Sequence, residues 1–81
     1  MSTLNAEIRG FFSKRMPIQE LSDDDDLFSN GFNSLYVLEL FDFLDAHLGV
    51  KVEDADLEFD NFRSVNAVAT FVRRKRGEGE E

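Results

Sequence analysis

The stretch from Ser34 to Leu48 constrains the fold most, because Leu35, Leu38, Phe41, Leu44 and Leu48 recur at steps of three and four and Leu40 widens the stripe. That period sets one side of an α-helix against a core and leaves Glu39, Asp42 and Asp45 on its polar flank. Gly49 follows at once, where helices commonly end on a left-handed residue. A single amphipathic helix cannot bury its own stripe, so the rest of the chain has to supply covering elements.

Two further helical patterns do so. Leu4, Ile8, Phe11, Phe12 and Met16 predict a first helix of about four turns, with Ser2 or Thr3 available as its cap and Pro17 closing it. Gly10 inside that helix costs about 1 kcal/mol relative to Ala. The last helix begins at a capping Ser64 and places Val65, Val68, Ala69 and Val72 on one face, with Phe71 beside them. Its C-terminal Arg73-Arg74-Lys75-Arg76 meets the negative pole of the helix dipole and reads as a solvated helix end.

The connections carry their own signals. Ile18 to Asn33 lacks a helical period and holds Ser22-Asp23-Asp24-Asp25-Asp26, a long ordered loop pinned by Ile18, Leu21, Leu27 and Phe28 and ending on the Asn30-Gly31 turn. Val50, Val52 and Glu53 to Asp56 form a connector, and Asp56 to Phe62 is expected to hold one short helix that packs Leu57, Phe59 or Phe62. The fold class is therefore all-α: a bundle of three longer helices plus one short helix, with a long loop after helix one. Residues 1–76 form one domain, and 77–81 a flexible acidic tail.

Composition narrows the function. At 81 residues the chain has room for one small core, which nine Phe help to fill, and too little for a cleft enclosed by its own walls. It has no Cys, so any thiol chemistry must be brought in by an added group. The net charge is −8, with 17 acidic and 9 basic residues, which argues against nucleic acid as a partner. Lys51 is the only basic residue between Glu20 and Asp60, so the middle of the chain is anionic. Such a surface either steers a basic partner or merely solvates the protein. No apolar run reaches the roughly 20 residues that cross a bilayer, and no signal core opens the chain. The expectation is a cytoplasmic monomer with no membrane association.

The segment Asp26 to Leu35 carries the chemistry, because a Gly turn delivers Ser34 to the first turn of an acid-lined helix. A Ser there projects its hydroxyl into solvent beside unpaired backbone N–H groups that can accommodate a phosphodiester. From the isolated position alone, a helix cap is the plainer reading. Nothing nearby activates Ser34 as a nucleophile: His47, the sole histidine, lies about 20 Å along the same helix. A hydrolase built on Ser34 would lack both a base and an oxyanion device. A calcium loop also fails: with Gly31 as the loop glycine, Phe28 would be a ligand and Val37 the closing residue. No metal site is expected.

Gly31-Phe32-Asn33-Ser34-Leu35 resembles the signature of the acyl carrier and peptidyl carrier family, usually read Gly-x-Asp-Ser-Leu at the start of its second helix. The likeness continues through Leu35, Leu38, Glu39, Leu40, Phe41 and Leu44, then Gly49-Val50-Lys51-Val52 and Asp60 to Val65, and covers most of Leu4 to Val72. The resemblance implies a non-catalytic carrier whose Ser34 receives 4′-phosphopantetheine from coenzyme A through a magnesium-dependent phosphopantetheinyl transferase. Its arm would hold an acyl or extender unit as a thioester. Implied partners are that transferase, an acyl-loading ligase or acyltransferase, and downstream synthase or tailoring enzymes, in fatty acid, polyketide or nonribosomal peptide biosynthesis. Asn33 replaces the usual Asp; it caps equally well but lacks a charge that some transferases use. Asn-Ser-Leu is also similar to free-standing carriers of specialised extender units. Tyr36, Leu38, Glu39 and Asp42 are the expected docking residues, since Tyr36, Val37 and Leu38 cannot all face inward. The alternative is an unmodified small helical protein-interaction adaptor.

Overall fold

The computed structural model describes residues 3–77. Three α-helices, α1 (Thr3–Ser13), α2 (Ser34–Leu48) and α3 (Val65–Lys75), enclose one core, and α1 packs against α3. Among the described residues there is no strand. The bundle is as expected, with two differences in its elements. Helix α1 ends at Ser13, about a turn early: Met16 N–H bonds the Phe12 carbonyl at 2.9 Å, and Met16 and Ile18 reach the core from beyond the helix. Thr3 is its first helical residue, and Ser2 lies outside the described residues. The single short helix expected over Asp56 to Phe62 is instead two 3-10 turns, Asp54–Asp56 and Phe59–Asn61. Of the residues it was to pack, only Phe62 is buried. Glu53 and Asp56 form a capping box at the start of the first turn, with the Glu53 N–H donating to the Asp56 carboxylate at 3.0 Å.

Helix α2 has the expected bounds, and Gly49 ends it at φ 69°, a conformation costly for a residue with a side chain. Its inward face is shifted from the expected one. Leu40, Leu44 and Leu48 are buried with Val37 and Phe41 beside them, while Leu35 and Leu38 are each 66% exposed. In α3, Ser64 accepts the Ala67 N–H at 3.0 Å, and Val65, Val68, Ala69, Phe71 and Val72 are all buried, as read from the sequence.

Each Phe has a ring partner. A continuous series of contacts runs Phe43, Phe11, Phe12, Phe32, Phe28, Phe59, with centroids 4.8–5.2 Å apart, and a second runs Phe41, Phe62, Phe71. Such pairs contribute about 0.5–1.5 kcal/mol each beyond the area they bury. The first series joins α2 to α1 and then to the long loop, so it fixes where that loop runs.

The four aspartates of the loop are more than a solvated run. Asp23 accepts from Arg9 at 2.8 Å and from Asn5 at 2.9 Å, both on α1, and Asp24 accepts from Asn66 of α3 at 2.6 Å. Arg9 also donates to the carbonyls of Ile18 and Leu21. The Asn5 bond and the neighbouring guanidinium hold the Asp23 carboxyl below the usual carboxylate range. The C-terminal basic cluster is likewise engaged rather than merely solvated. Lys75 meets Asp56 at 2.7 Å, which lowers the Asp56 pKa and raises that of Lys75. Arg74 donates to Asn61, and Arg76 to the Leu48 carbonyl at the end of α2. Apart from Gly77, the tail lies outside the described residues.

Candidate functional site

The approach to Ser34 is built in three steps. Leu27 is fully buried and its N–H donates to the Arg63 carbonyl at 2.6 Å, which anchors the loop on the segment before α3. Asp26 then organises a 3-10 turn, Phe28–Asn30, by accepting from the Phe28 N–H and the Ser29 hydroxyl. Gly31 leaves that turn at φ 111°, and a Cβ there would meet nothing within 4 Å, so the need for Gly is conformational rather than a matter of space. Phe32 turns inward and is 3% exposed, which directs the next residues out.

Asn33 caps α2. Its side-chain oxygen accepts the N–H of Leu35 at 3.0 Å and, more weakly, that of Tyr36 at 3.4 Å. This assigns the cap to Asn33 and releases Ser34 from that duty. It also corrects the expectation of several unpaired N–H groups at the site, because two of them are spent on the cap. Ser34 is the first helical residue, is exposed, and among the described residues neither its hydroxyl nor its own N–H has a hydrogen-bond partner. A phosphate joined to that oxygen would sit at the positive pole of α2 with room around it. The site therefore fits a tethered phosphodiester.

The other site residues divide by surroundings. Leu35, Leu38 and Asp42 are exposed and lie on one arc of α2 with Ser34. Tyr36 is half-buried against the core, and Glu39 is exposed but paired with Arg15 of α1 at 2.6 Å. The Arg15 guanidinium also lies over the Phe11 ring at 3.9 Å. The sequence pattern offered Leu57 and Phe59 as packing residues of a short helix, whereas they are 56% and 72% exposed, and it gave no sign of the Arg15–Glu39 pair. An aromatic in an acidic connector was the available signal for Phe59, but its exposure depends on where the 3-10 turns fall. His47 stacks on Phe43 at the far end of α2 and is no base for Ser34. Among the described residues, no group of three or more His, Cys, Asp or Glu could hold a metal ion, and no helix is long and apolar enough to cross a membrane.

No curated protein matches the chain. The sequence model of a family described as "Phosphopantetheine attachment site" matches residues 6–72, from the second turn of α1 to near the end of α3. Proteins of this family carry a covalent 4′-phosphopantetheine arm, serve phosphopantetheinyl transferases and acyl-processing enzymes, and are not themselves catalysts. With that match over most of its length, the chain belongs to the phosphopantetheine-binding carrier protein family.

Proposed function

We propose that Ser34 is the residue that takes the arm, and that residues 1–76 act as one carrier domain. The arm holds an acyl or extender unit, which passes from a loading ligase or acyltransferase to synthase or tailoring enzymes of a polyketide or nonribosomal peptide pathway. One observation carries this reading: the Ser34 hydroxyl stands exposed and unbonded at the start of α2 while Asn33 does the capping. Ser34 is thus dispensable to the helix and accessible to an enzyme. Its oxygen has no neighbouring base, so attachment needs a transferase to remove the proton. The arm supplies the thiol that this Cys-free chain lacks.

The exposed arc of Leu35, Leu38 and Asp42, bordered by Tyr36 and Glu39, is the proposed docking face. Apolar side chains in the open beside acidic ones suit a partner with an apolar patch and a basic rim. Asn33 in place of Asp removes one anionic contact, so transferases that depend on that charge should act more slowly here.

The test is intact mass after incubation with coenzyme A, magnesium and a promiscuous transferase. One phosphopantetheine should be added, located by fragmentation to Ser34 and lost in Ser34→Ala. Ser29 is an internal control, since its hydroxyl is engaged with Asp26. A folded wild-type chain left unmodified by several transferases, its native one included, would move the assignment to an unmodified helical adaptor.

A further inference from the structure

Helix α2 carries the carboxylates of Glu39, Asp42 and Asp45, and internal cations hold them unequally. Arg15, in the turn after α1, donates its Nε–H to the Glu39 carboxylate at 2.6 Å. The same guanidinium donates to the Phe11 carbonyl at 2.8 Å and lies 3.9 Å over the Phe11 ring, and the side chain is only 30% exposed. Asp45 is met by Lys51 at 3.7 Å, with both side chains largely open to water. Asp42 is exposed and has no ion pair among the described residues.

The internal cations also differ in how readily a partner can replace them. Lys51 makes a long contact between two solvated groups, which contributes little and exchanges freely. Arg15 is fixed by its planar guanidinium, which stacks on a ring while its N–H fork reaches the carbonyl and the carboxylate. A cation arriving at Glu39 would have to break a short charge-assisted bond, give up its own water and approach Arg15 as a like charge. Asp42, one turn further along α2 and about 4.5 Å away by helical rise, presents no such obstacle. We propose that Arg15 is a specificity-determining residue for docking. It is an internal counter-ion that closes Glu39 to partner cations, so α2 favours transferases that set one cation on Asp42 over those that need a second on Glu39. The proposal deepens the docking reading and rests on Ser34 taking the arm.

The experiment measures kcat/KM for phosphopantetheine attachment to the full chain by a promiscuous transferase, with each variant checked for unchanged helicity. At low ionic strength Arg15→Gln should raise kcat/KM about two- to fivefold, through KM, by opening Glu39 to the transferase. Salt at about 1 M, where screening acts within about 3 Å, should erase the gain. Arg15→Met keeps an apolar stem on the Phe11 ring and should reproduce the gain, which separates it from loosened packing. Glu39→Gln should slow attachment more in the Arg15→Gln background than in the wild-type chain, because the two residues act as a pair. Lys14→Gln removes the same charge from the adjacent residue, which is exposed and has no ion pair among the described residues, and should have less effect than Arg15→Gln. No gain in either Arg15 variant, an equal gain in Lys14→Gln, or no coupling between Arg15 and Glu39 overturns the counter-ion role, and an adduct on Ser34 in all these proteins then leaves the carrier reading standing. No adduct on Ser34 in any of them, wild type included, overturns the attachment reading and the specificity role with it.

Discussion

Capping by Asn33 and the proposed modification of Ser34 fall on adjacent residues, and substitution can separate them. Asn33→Ala removes one well-formed bond to the Leu35 N–H at 3.0 Å and one long bond to the Tyr36 N–H at 3.4 Å. Loss of an N-cap of this kind costs about 0.5–2 kcal/mol, and the weakness of the second bond together with exposure to water sets the expectation near 1 kcal/mol. For a domain of this size that lowers Tm by about 4–8 °C. Ser34→Ala removes no bond and puts a strong helix former at an exposed position, so its stability should stay within about 0.5 kcal/mol of wild type. Asn33→Asp keeps both acceptors and adds a negative charge at the positive end of α2, which should stabilise by about 0.3–1 kcal/mol at low salt. Urea titration of the four proteins, with the mass assay run on each, gives both readouts. Only Ser34→Ala should lose the adduct, and only Asn33→Ala should lose appreciable stability. A Ser34→Ala protein destabilised as much as Asn33→Ala would mean that Ser34 is the cap, and the reasoning from an unoccupied hydroxyl would fail.

Leu44→Ala should cost about 2–5 kcal/mol because Leu44 is fully buried, whereas Leu38→Ala, at 66% exposure, should change stability by no more than about 0.5 kcal/mol; equal urea midpoints would show that the wrong face of α2 has been put inside. The depressed Asp23 carboxyl contributes stability that is fully present above the ordinary Asp value of about 3.9 and is lost as pH falls through its lower folded value, so Asp23→Asn should flatten the acid limb of a Tm-against-pH curve. Lys75 has the opposite sign: its contribution is complete below the ordinary Lys value of about 10.4 and is lost as pH rises through the raised folded value, and Lys75→Met should flatten the alkaline limb. Reversing Glu39 and Asp42 to Lys should slow transferase modification several-fold at low salt and change stability by less than about 1 kcal/mol, although it breaks the partly exposed Arg15–Glu39 pair; unchanged kinetics would exclude this face from docking.

The sequence by itself determined the bounds of α2 and the start and inward face of α3. Asn33 and Gly49 bracket α2, Ser64 starts α3, and the apolar stripe of α3 is the buried one, because caps, left-handed turns and helical periods act over a few residues and are written there. The motif around Ser34 was legible for the same reason. Tertiary structure decided which side of α2 faces in. Its leucines spread beyond one face, with Leu35 and Leu38 on the arc that also carries Asp42, so the period alone could not separate them from Leu40 and Leu44, and packing in the core made the choice. Only the fold could join Asn5 to Asn66 across 61 positions, or convert a run of like charges at Asp23 and Asp24 into a clasp between α1 and α3. The apolar cleft lined by Phe28, Phe41 and Phe59 is of the same kind. Phe28, Phe41 and Phe59 are far apart in the chain, and their shared wall exists because buried neighbours hold the loop, α2 and the 3-10 turns at fixed distances.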